Sequence, residues 1–169
     1  MGPRTTNGLP PDITIRHKLR PGDIGYVTYL HGTLYAADCG WDHTFEAYVA
    51  GPLAEFAKSQ KDRERIWIIE KDSTIVGSIA IVEVSDEVAQ LRWFLLQPSL
   101  RGQGIGRFLM DEAMKFCREK NYSRIFLLTE KSLMAAARLY EDYGFELTGQ
   151  ETHELWGSII TDQTYELEL

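Results

Sequence analysis

Three glycines within five residues, Gly102, Gly104 and Gly106, separate a β-rich part of the sequence from an amphipathic helical pattern. The N-terminus of a helix carries unpaired N–H groups and a partial positive charge. Glycines at this position let the main chain close around an anion that a Cβ atom would hinder. Because Arg101 and Arg107 flank the segment, it predicts a phosphate-binding loop between a strand and a helix.

Two well-known phosphate-binding motifs do not fit this segment. A P-loop ends in Gly-Lys-Ser/Thr, and no such pair follows the glycines here. A dinucleotide-binding fingerprint has the spacing GxGxxG, which the residues after Gly104 do not match, and its strand is not part of a meander. A glycine-rich turn without a ligand is the structural alternative, but the flanking arginines favour a binding loop.

The hydrophobic pattern predicts a mixed α/β fold. Strands are expected at 13–16, 66–69, 75–84, 89–96, 125–129, 145–148 and 164–169, and helices at 24–36, 42–56, 105–117 and 132–143. Short turns join the second to fourth strands into an antiparallel meander, and the strand–helix–strand unit that follows predicts a parallel crossover. We therefore predict one α/β (α+β) domain with a mixed sheet of six to seven strands and helices on both faces.

Composition limits the classes of function. The 169 residues are 44% hydrophobic, which suits one domain, residues 12–169, after a loose tail, residues 1–11. A net charge of -7 argues against a nucleic-acid partner, and no apolar run is long enough to suggest a membrane span. The two cysteines, Cys39 and Cys117, lie far apart, which predicts a reducing, cytoplasmic location. The histidines show no metal-ligand spacing.

Two blocks of the sequence resemble the GNAT superfamily of N-acetyltransferases. Leu95–Gly106 reads LLQPSLRGQGIG and is similar to the acetyl-CoA signature [Q/R]xxGx[G/A], which follows a strand and a proline in that family. Ala136–Phe145 reads AARLYEDYGF and is similar to the later family block, in which Leu-Tyr precedes Gly-Phe. The blocks have the family's usual separation, and the predicted order of elements agrees over residues 12–169.

A closer likeness covers nearly the whole domain. Residues 31–35, 41–46 and 153–157 resemble the acetyltransferase half of proteins that fuse it to a MarR-type winged-helix regulator. The chain has no room for that regulator, so this likeness predicts a free-standing version.

The resemblance implies an acetyl-CoA-dependent N-acetyltransferase that uses no metal. The pyrophosphate of coenzyme A would lie against the N–H groups of the loop, and the pantetheine arm would pair with a strand where two parallel strands splay apart. A main-chain N–H in this slot would also face the thioester oxygen and stabilise charge on it. The implied cofactor-binding residues are Leu95, Leu96, Arg101, Gly102, Gln103, Gly104, Ile105, Gly106 and Arg107.

Tyr140 matches the family position of the acid that protonates the leaving thiolate. Ala136 and Ala137, one helical turn earlier, leave space for a ligand on the same face. The alternative role of Tyr140 is that of a core aromatic residue. Leu133 stands where many relatives have an asparagine, so one expected cofactor contact is missing.

The general base is left open by the sequence. Some relatives carry a glutamate where this chain has Gln90, which cannot accept the proton. Glu83, its expected cross-strand neighbour, is the first candidate, although a solvated charge beside a turn is the plain alternative. The other candidates are Glu46, His31, His153 and ordered water.

Arg92 lies within an apolar strand pattern, where an unpaired charge is costly. Its partner is either Glu46, in a structural role, or a carboxylate of the acceptor, which predicts an amino-acid-like or peptide-like acceptor. His31 and Tyr35 on the first helix, with His153 in the last hairpin, complete the acceptor pocket that the resemblance implies.

Two other functions compete with acetyl transfer. A catalytically silent acetyl-CoA sensor or interaction domain would bind the cofactor without turning over an acceptor, and Gln90 and Leu133 favour it. A nucleotide-phosphate binder of another α/β class lacks the expected lysine and glycine spacing. Within the enzyme hypothesis, the acceptor is a small-molecule, amino-acid, peptide or protein amine, and the resemblance also suggests a homodimer.

Overall fold

Residues 8–169 are described in the computed structural model of this protein. The strands are β1 (Ile13–Arg16), β2 (Arg65–Lys71), β3 (Thr74–Glu83), β4 (Val88–Leu96), β5 (Arg124–Glu130), β6 (Glu146–Leu155) and β7 (Ser158–Glu168). The helices are α1 (Asp23–Cys39), α2 (His43–Lys58), α3 (Ile105–Glu119) and α4 (Met134–Asp142). A 3₁₀ turn at Pro98–Leu100 follows β4.

The strands of the described residues form one mixed sheet in the order β1-β2-β3-β4-β5-β7-β6. Neighbouring strands are antiparallel except β4 and β5, which run parallel because α3 carries the chain back across the sheet. The predicted α/β domain with a mixed sheet of six to seven strands is therefore confirmed.

Helices cover both faces of the sheet, as predicted. One apolar cluster contains Trp67 and Ile69 of β2 together with residues of α3 and α4, and we call this side the α3/α4 face. The other cluster contains Ile66 and Ile68 of β2 together with residues of α1 and α2, and we call it the α1/α2 face. β2 is covered on both sides, which explains its continuous apolar run.

Single residues with strong local preferences determine where α1 ends and where α2 begins. Asp42 is the N-cap of α2, as predicted, and its side chain accepts a 2.9 Å hydrogen bond from the N–H of Thr44. Gly40 ends α1 in a left-handed conformation, with φ of 73°, and its N–H donates to the carbonyl of Ala36. α1 therefore runs beyond Ala36, its predicted last residue, to Cys39.

β4 contains a β-bulge where its pairing with β3 shifts between Ser78 and Ala80. Ser78 lies opposite Leu95 and Ala80 opposite Arg92, so β4 has one more residue than β3 between these pairs. Trp93 within the bulge has φ of 47°, which L side chains rarely adopt. The buried Ser78 hydroxyl donates a 2.6 Å hydrogen bond to the Trp93 carbonyl and so holds this conformation.

The bulge changes which face the side chains of β4 cover. Before it, Ala89 and Leu91 pack on the α3/α4 face. After it, Trp93 and Leu95 pack on the α1/α2 face, although all four residues have the same parity along the strand. A plain alternation of buried residues therefore hides a change of face that the sequence pattern did not reveal.

β4 and β5 separate soon after they begin. Their pairing ends at Gln90 opposite Phe126, although β4 continues to Leu96 and β5 to Glu130. The C-terminal halves of these two parallel strands leave a gap in the sheet, and each has a free strand edge along it. The splayed strand pair that the resemblance predicted is thus part of the fold.

The last hairpin is longer than predicted. The sequence predicted strands at 145–148 and 164–169, whereas β6 extends to Leu155 and β7 begins at Ser158. The turn between them, Trp156-Gly157, has positive φ at both residues, as a type I′ hairpin turn requires. Most of β6 is exposed, so the apolar alternation that marks a half-buried strand is weak there.

Of the predicted loose tail, residues 1–11, the first seven residues lie outside the described part of the chain. Leu9 is 7% exposed and belongs to the apolar cluster of the α3/α4 face. The packed part of the domain therefore begins before residue 12.

Candidate active site

A cleft of about 800 Å³ runs through the gap between β4 and β5. On the α3/α4 face its lining comes from the glycine segment and from α4, and on the α1/α2 face from α1, α2 and the β6–β7 hairpin. Its volume lies within the range of small-molecule sites. Because the cleft joins the two faces, a ligand bound on one face can meet a second ligand that enters from the other.

α3 begins at the glycine segment with the N–H groups of its first turn unpaired. Gly104 precedes the helix in a left-handed conformation, with φ of 83°, and no side chain caps this end. The first N–H groups of an α-helix have no partner within the helix, so this end is open to an anion. Gly102 and Gly106 line the cleft beside it. These features suit a phosphate group.

The two arginines of the segment lie in different places. Arg101 lines the cleft, where its Nε donates to the carbonyl of Leu96 at 3.3 Å and its guanidinium lies 3.4 Å from the carboxylate of Asp38. Arg107 is exposed and forms an ion pair with Asp142 of α4 instead. Arg101 is therefore placed to contact a ligand, whereas Arg107 ties α3 to α4.

The other two predicted loop residues shape the loop itself. The Gln103 amide donates a 2.9 Å hydrogen bond to the carbonyl of Ser99, within the same segment. Ile105 is 1% exposed and anchors the start of α3 in the core. Ile105 can therefore offer a ligand only its main-chain groups, while the Gln103 amide is engaged within the loop.

The main chain of Leu96 faces the gap, whereas that of Leu95 faces β3. The N–H of Gln97 donates to the carbonyl of Val76 in β3 at 2.8 Å. Because antiparallel pairing alternates along a strand, Leu95 also bonds towards β3 and Leu96 points the other way. The contact between the Leu96 carbonyl and Arg101 agrees with this direction. Leu96 thus offers its main chain to an extended ligand.

Tyr140 of α4 lines the cleft at the gap. The residue is 6% exposed, and its hydroxyl has no hydrogen-bond partner among residues 8–169. Burial raises the pKa of Tyr140, and the neighbouring Tyr35 raises it further, so the hydroxyl is protonated at neutral pH. Tyr35 belongs to α1 and lines the same cleft, so the cleft brings side chains from the two faces of the sheet together at the gap.

His31 is a buried neutral histidine on the α1 side of the cleft. Its Nδ1 lies 2.8 Å from the carbonyl oxygen of Val27, which only accepts, so Nδ1 carries the proton and Nε2 is the acceptor. Burial lowers the pKa of His31 to about 4, against the effect of the Val27 bond. The ring stacks on Tyr35 with 6.2 Å between centroids. At neutral pH His31 is a hydrogen-bond acceptor and a weak base.

Arg92 lines the cleft on the α1/α2 face. It lies opposite Ala80, which belongs to the cluster of that face, and its guanidinium is 5.0 Å from the ring centre of Trp93. Burial lowers the pKa of Arg92, and only Tyr48 among the described residues counteracts this. The pair with Glu46 that the sequence suggested is not formed.

Two predicted carboxylates lie outside the cleft. Glu46 is exposed on α2, and its side chain lies against Gly32 of α1, where an added Cβ would be 2.2 Å from the Glu46 Cγ. Glu83 pairs with Lys61 at 2.8 Å and with Arg63 at 3.3 Å. The hydrogen bond from Lys61 lowers the pKa of Glu83, which makes it a poorer base. Neither position suits the predicted role.

The register between β3 and β4 explains the position of Glu83. Gln90 lines the cleft and lies opposite Val82, while Glu83 lies opposite Ala89 on the α3/α4 face. The expected pairing of Glu83 with Gln90 was off by one residue. Because side chains alternate along a strand, this one step moves the carboxylate to the opposite face of the sheet.

The β6–β7 hairpin contributes a carboxylate that the sequence interpretation missed. Asp162 lines the cleft, and burial raises its pKa. His153, the predicted pocket residue, lies behind it, with Nε2 at 3.7 Å from Asp162 and 3.3 Å from Glu151. Asp162 lies before residue 164, where the last strand was predicted to begin. It reaches the gap because β7 begins earlier and places it opposite Glu130 of β5.

Five aromatic side chains form a continuous surface at the acceptor end, which we call the aromatic wall. Trp41 lies at its centre, with ring centroids at 5.1 Å from Tyr35, 4.8 Å from Phe45 and 4.6 Å from Trp156. Tyr48 lies 5.1 Å from Trp156 and is 45% exposed. All five line the cleft, and Phe45 and Tyr48 were not predicted as site residues.

The α3/α4 face fits coenzyme A through unpaired helix N–H groups, an adjacent arginine and a free strand edge. Within residues 8–169, no group of three or more histidine, cysteine, aspartate or glutamate side chains could hold a metal ion. In the same part of the chain, every helix is too short or too polar to cross a membrane.

Comparison with known proteins agrees with this geometry. The model of the acetyltransferase (GNAT) family matches residues 33–145, more than half of the chain. The chain belongs to the GNAT family. Human N-acetyltransferase 8 is 28% identical over 131 residues, which are 73% of this chain and 58% of that protein. The chain spans about half the length of the curated relatives it matches.

Solved GNAT structures share the fold. An acetyltransferase from Streptococcus agalactiae superposes with a TM-score of 0.75 at 20% identity, over 94% of this chain and 99% of that one. Spermidine N-acetyltransferase from Vibrio cholerae, solved with CoA and spermine, gives a TM-score of 0.69 at 20% identity, over 93% and 95% of the two chains. The seven-stranded arrangement is therefore the GNAT fold.

Proposed function

We propose that this GNAT protein is an N-acetyltransferase that moves the acetyl group of acetyl-CoA to a primary amine of a small molecule, an amino acid or a peptide. The cleft through the β4–β5 gap carries the proposal. It joins the open end of α3 on one face to Arg92, Asp162 and the aromatic wall on the other. A protein that only senses acetyl-CoA needs the first half of this cleft and has no use for the second.

The glycine segment and β4 bind the cosubstrate in this proposal. The N–H groups of the first turn of α3 hold the pyrophosphate, with Arg101 beside them. The main chain of Leu96 pairs with the pantetheine arm as it would with an added strand. The cosubstrate supplies the thioester, which is an activated acyl group. A main-chain N–H at the bulge stabilises charge on the thioester oxygen.

Tyr140 is the proposed acid. The acceptor nitrogen forms a bond to the acetyl carbon, the bond from that carbon to sulfur breaks, and the sulfur leaves with the electron pair. The Tyr140 hydroxyl, protonated and without another partner, donates to this sulfur. Its burial at the gap holds the donor in place and excludes water that would compete for the same bond.

Asp162 is the proposed proton acceptor, in place of Glu83. It lies in the cleft, and its raised pKa brings the carboxylate nearer to the range of an effective base. The proton lost by the amine passes to Asp162 and leaves to solvent by way of His153, 3.7 Å away. We expect Asp162→Asn to lower kcat/KM by about tenfold or more. Glu154→Gln, an exposed change on β6, is the control, and an unchanged pH–rate profile in Asp162→Asn would remove this role.

The test of the proposed function is amine-dependent turnover. The protein is mixed with acetyl-CoA and a panel of amino acids, peptides, polyamines and drug-like amines, and released thiol and acetylated amine are both quantified. We expect equal amounts of the two products with at least one amine. If coenzyme A binds by calorimetry but no amine increases thiol release, the protein is a sensor and the proposal fails.

Three predictions from the sequence accompany this function: a likeness to the acetyltransferase half of MarR-fused proteins, a cytoplasmic location and a homodimer. The first two stay predictions. A homodimer is tested by light scattering of the purified protein across a range of concentrations.

A further inference from the structure

Arg92 is a half-buried cation without a carboxylate partner. Among residues 8–169, no acidic side chain lies within 4.0 Å of its guanidinium, and none contributes to its pKa. Residues 1–7 contain neither aspartate nor glutamate. A guanidinium removed from water without an anion destabilises the fold, so this position favours a partner that the chain does not itself supply.

Two carboxylates that line a cavity together with Arg92 are already engaged. Arg92 also borders a smaller cavity of about 280 Å³ that Glu55 and Glu64 help to line. The Glu64 carboxylate accepts two main-chain N–H groups, and Glu55 pairs with Lys58 at 3.0 Å. The internal charges of this region are thus satisfied apart from Arg92.

Arg92 serves the acceptor half of the cleft. It lies on the α1/α2 face of the sheet, opposite to the face that carries α3 and the glycine segment. The pyrophosphate site has its own cation in Arg101, which is paired with Asp38. The anion that Arg92 meets therefore belongs to the acceptor.

The surroundings of Arg92 define the rest of this acceptor. Tyr48, at the open edge of the aromatic wall, lines the same cleft as Arg92, so one ligand can meet both the wall and the cation. The wall offers planar apolar surface to a side chain of the ligand. Asp162 in the same cleft offers a negative charge to an ammonium group.

We propose that Arg92 is an anion subsite and that the acceptor is a zwitterionic α-amino acid with an apolar or aromatic side chain. Arg92 binds the α-carboxylate through its planar fork of N–H donors, and the aromatic wall takes the side chain. The α-amine then faces the gap, between Asp162 and Tyr140. This inference names the substrate class and rests on the acetyl transfer proposed above.

The test compares acceptors that differ in the carboxylate alone. Acetyl transfer is measured to L-phenylalanine and to phenylethylamine, which lacks the carboxylate, with spermidine as a cationic acceptor. We expect kcat/KM for phenylalanine to exceed that for phenylethylamine by about 10- to 100-fold, as for loss of one charge-assisted hydrogen-bonded pair. A higher kcat/KM for phenylethylamine or spermidine overturns the proposal.

Variants of Arg92 assign this preference to the guanidinium. In Arg92→Gln the ratio of the two kcat/KM values should fall towards one, and Arg92→Lys should restore it in part, because a lysine keeps the charge but loses the fork. Arg118→Gln, a matched change at an exposed site on α3, should keep the ratio. If Arg92→Gln lowers both values equally, Arg92 is a structural residue and the proposal fails.

A binding measurement separates this proposal from acetyl transfer itself. With coenzyme A present, N-acetylphenylalanine should raise the Tm of the parent protein, N-acetylphenylethylamine should raise it less, and Arg92→Gln should abolish the difference. Equal shifts for the two ligands overturn the anion subsite. If no amine is turned over but the difference is found, the subsite stands and the enzyme proposal alone fails.

Discussion

The two halves of the cleft are built in opposite ways. The half proposed for coenzyme A takes its binding groups from one continuous segment, 95–107, with α4 beside it, and relies on main-chain groups at a strand edge and a helix end. The acceptor half comes from five separate parts of the chain, α1, α2, β4, β5 and the β6–β7 hairpin, and relies on side chains. The first half depends on backbone conformation, and the second on which residues the fold brings together.

This difference determines how each half of the cleft responds to amino-acid substitutions. A site made of main-chain groups still binds its ligand when neighbouring side chains change, as long as glycines keep the left-handed conformations. The same cosubstrate site can therefore be combined with sites for different acceptors. A side-chain site changes its ligand with every substitution. Tyr140 lies between the two halves, and its replacement is expected to cause the largest loss.

Tyr140→Phe removes the proposed acid without removing the ring. We expect kcat to fall by about 100-fold or more, since the sulfur would leave without a proton donor, while the affinity for coenzyme A changes little. Steady-state kinetics against pH and calorimetry measure the two effects. Tyr143→Phe is the matched control, because its hydroxyl bonds to Asp111 at 2.6 Å outside the cleft. An unchanged kcat in Tyr140→Phe would exclude Tyr140 as the acid.

Gly104→Val breaks the coenzyme half alone. The left-handed φ of 83° strains a β-branched residue, and relaxation of this strain closes the open helix end. We expect coenzyme A to bind about 10- to 100-fold more weakly by calorimetry, the cost of losing hydrogen bonds to a charged group.

Gly22→Val is the matched control for this prediction. Gly22 also precedes a helix, with φ of 95° and no side-chain cap, but the first turn of that helix does not line the cleft, whereas Gly106 in the first turn of α3 does. Similar losses of stability in both variants, with weaker coenzyme A binding only in Gly104→Val, would assign binding to the helix end. Equal affinities in the two variants would contradict it.

The same contrast explains what the sequence could predict. The glycine segment, the N-cap Asp42 and the parallel β4–β5 crossover are local signals, and each was placed correctly. The register of β3 against β4 is not local, and an error of one residue turned Glu83 from a candidate base into a residue on the wrong face. Asp162 reaches the cleft only through the long hairpin, whose exposed β6 lacks the alternation that predicts a strand.

The buried neutral state of His31, in the acceptor half, can be tested by the pH dependence of the free energy of unfolding. Its folded pKa of about 4 lies below the unfolded value near 6.5, so between these values the unfolded chain binds a proton that the folded chain does not. Through His31, the free energy of unfolding should therefore fall by about 3 kcal/mol as the pH drops from 7 to 4. Urea titrations in this range should show a flatter dependence for His31→Gln. His43→Gln, an exposed change, should keep the slope of the parent, and a parent-like slope in His31→Gln would contradict the buried neutral state.

Ser78→Ala has the smallest expected effect on activity, but it should affect both halves of the cleft. The Ser78 hydroxyl holds the bulge at Trp93, which turns Trp93 to the acceptor face that Arg92 also occupies and leaves Leu96 towards the gap. Loss of this buried bond should lower the free energy of unfolding by about 1 kcal/mol. Since a looser bulge misplaces both ligands, kcat/KM should fall severalfold for every acceptor, without a change in the phenylalanine preference. Ser123→Ala, which removes an exposed 3.3 Å bond to Glu87, should alter neither quantity. A loss confined to one acceptor would show that the bulge serves the acceptor half alone.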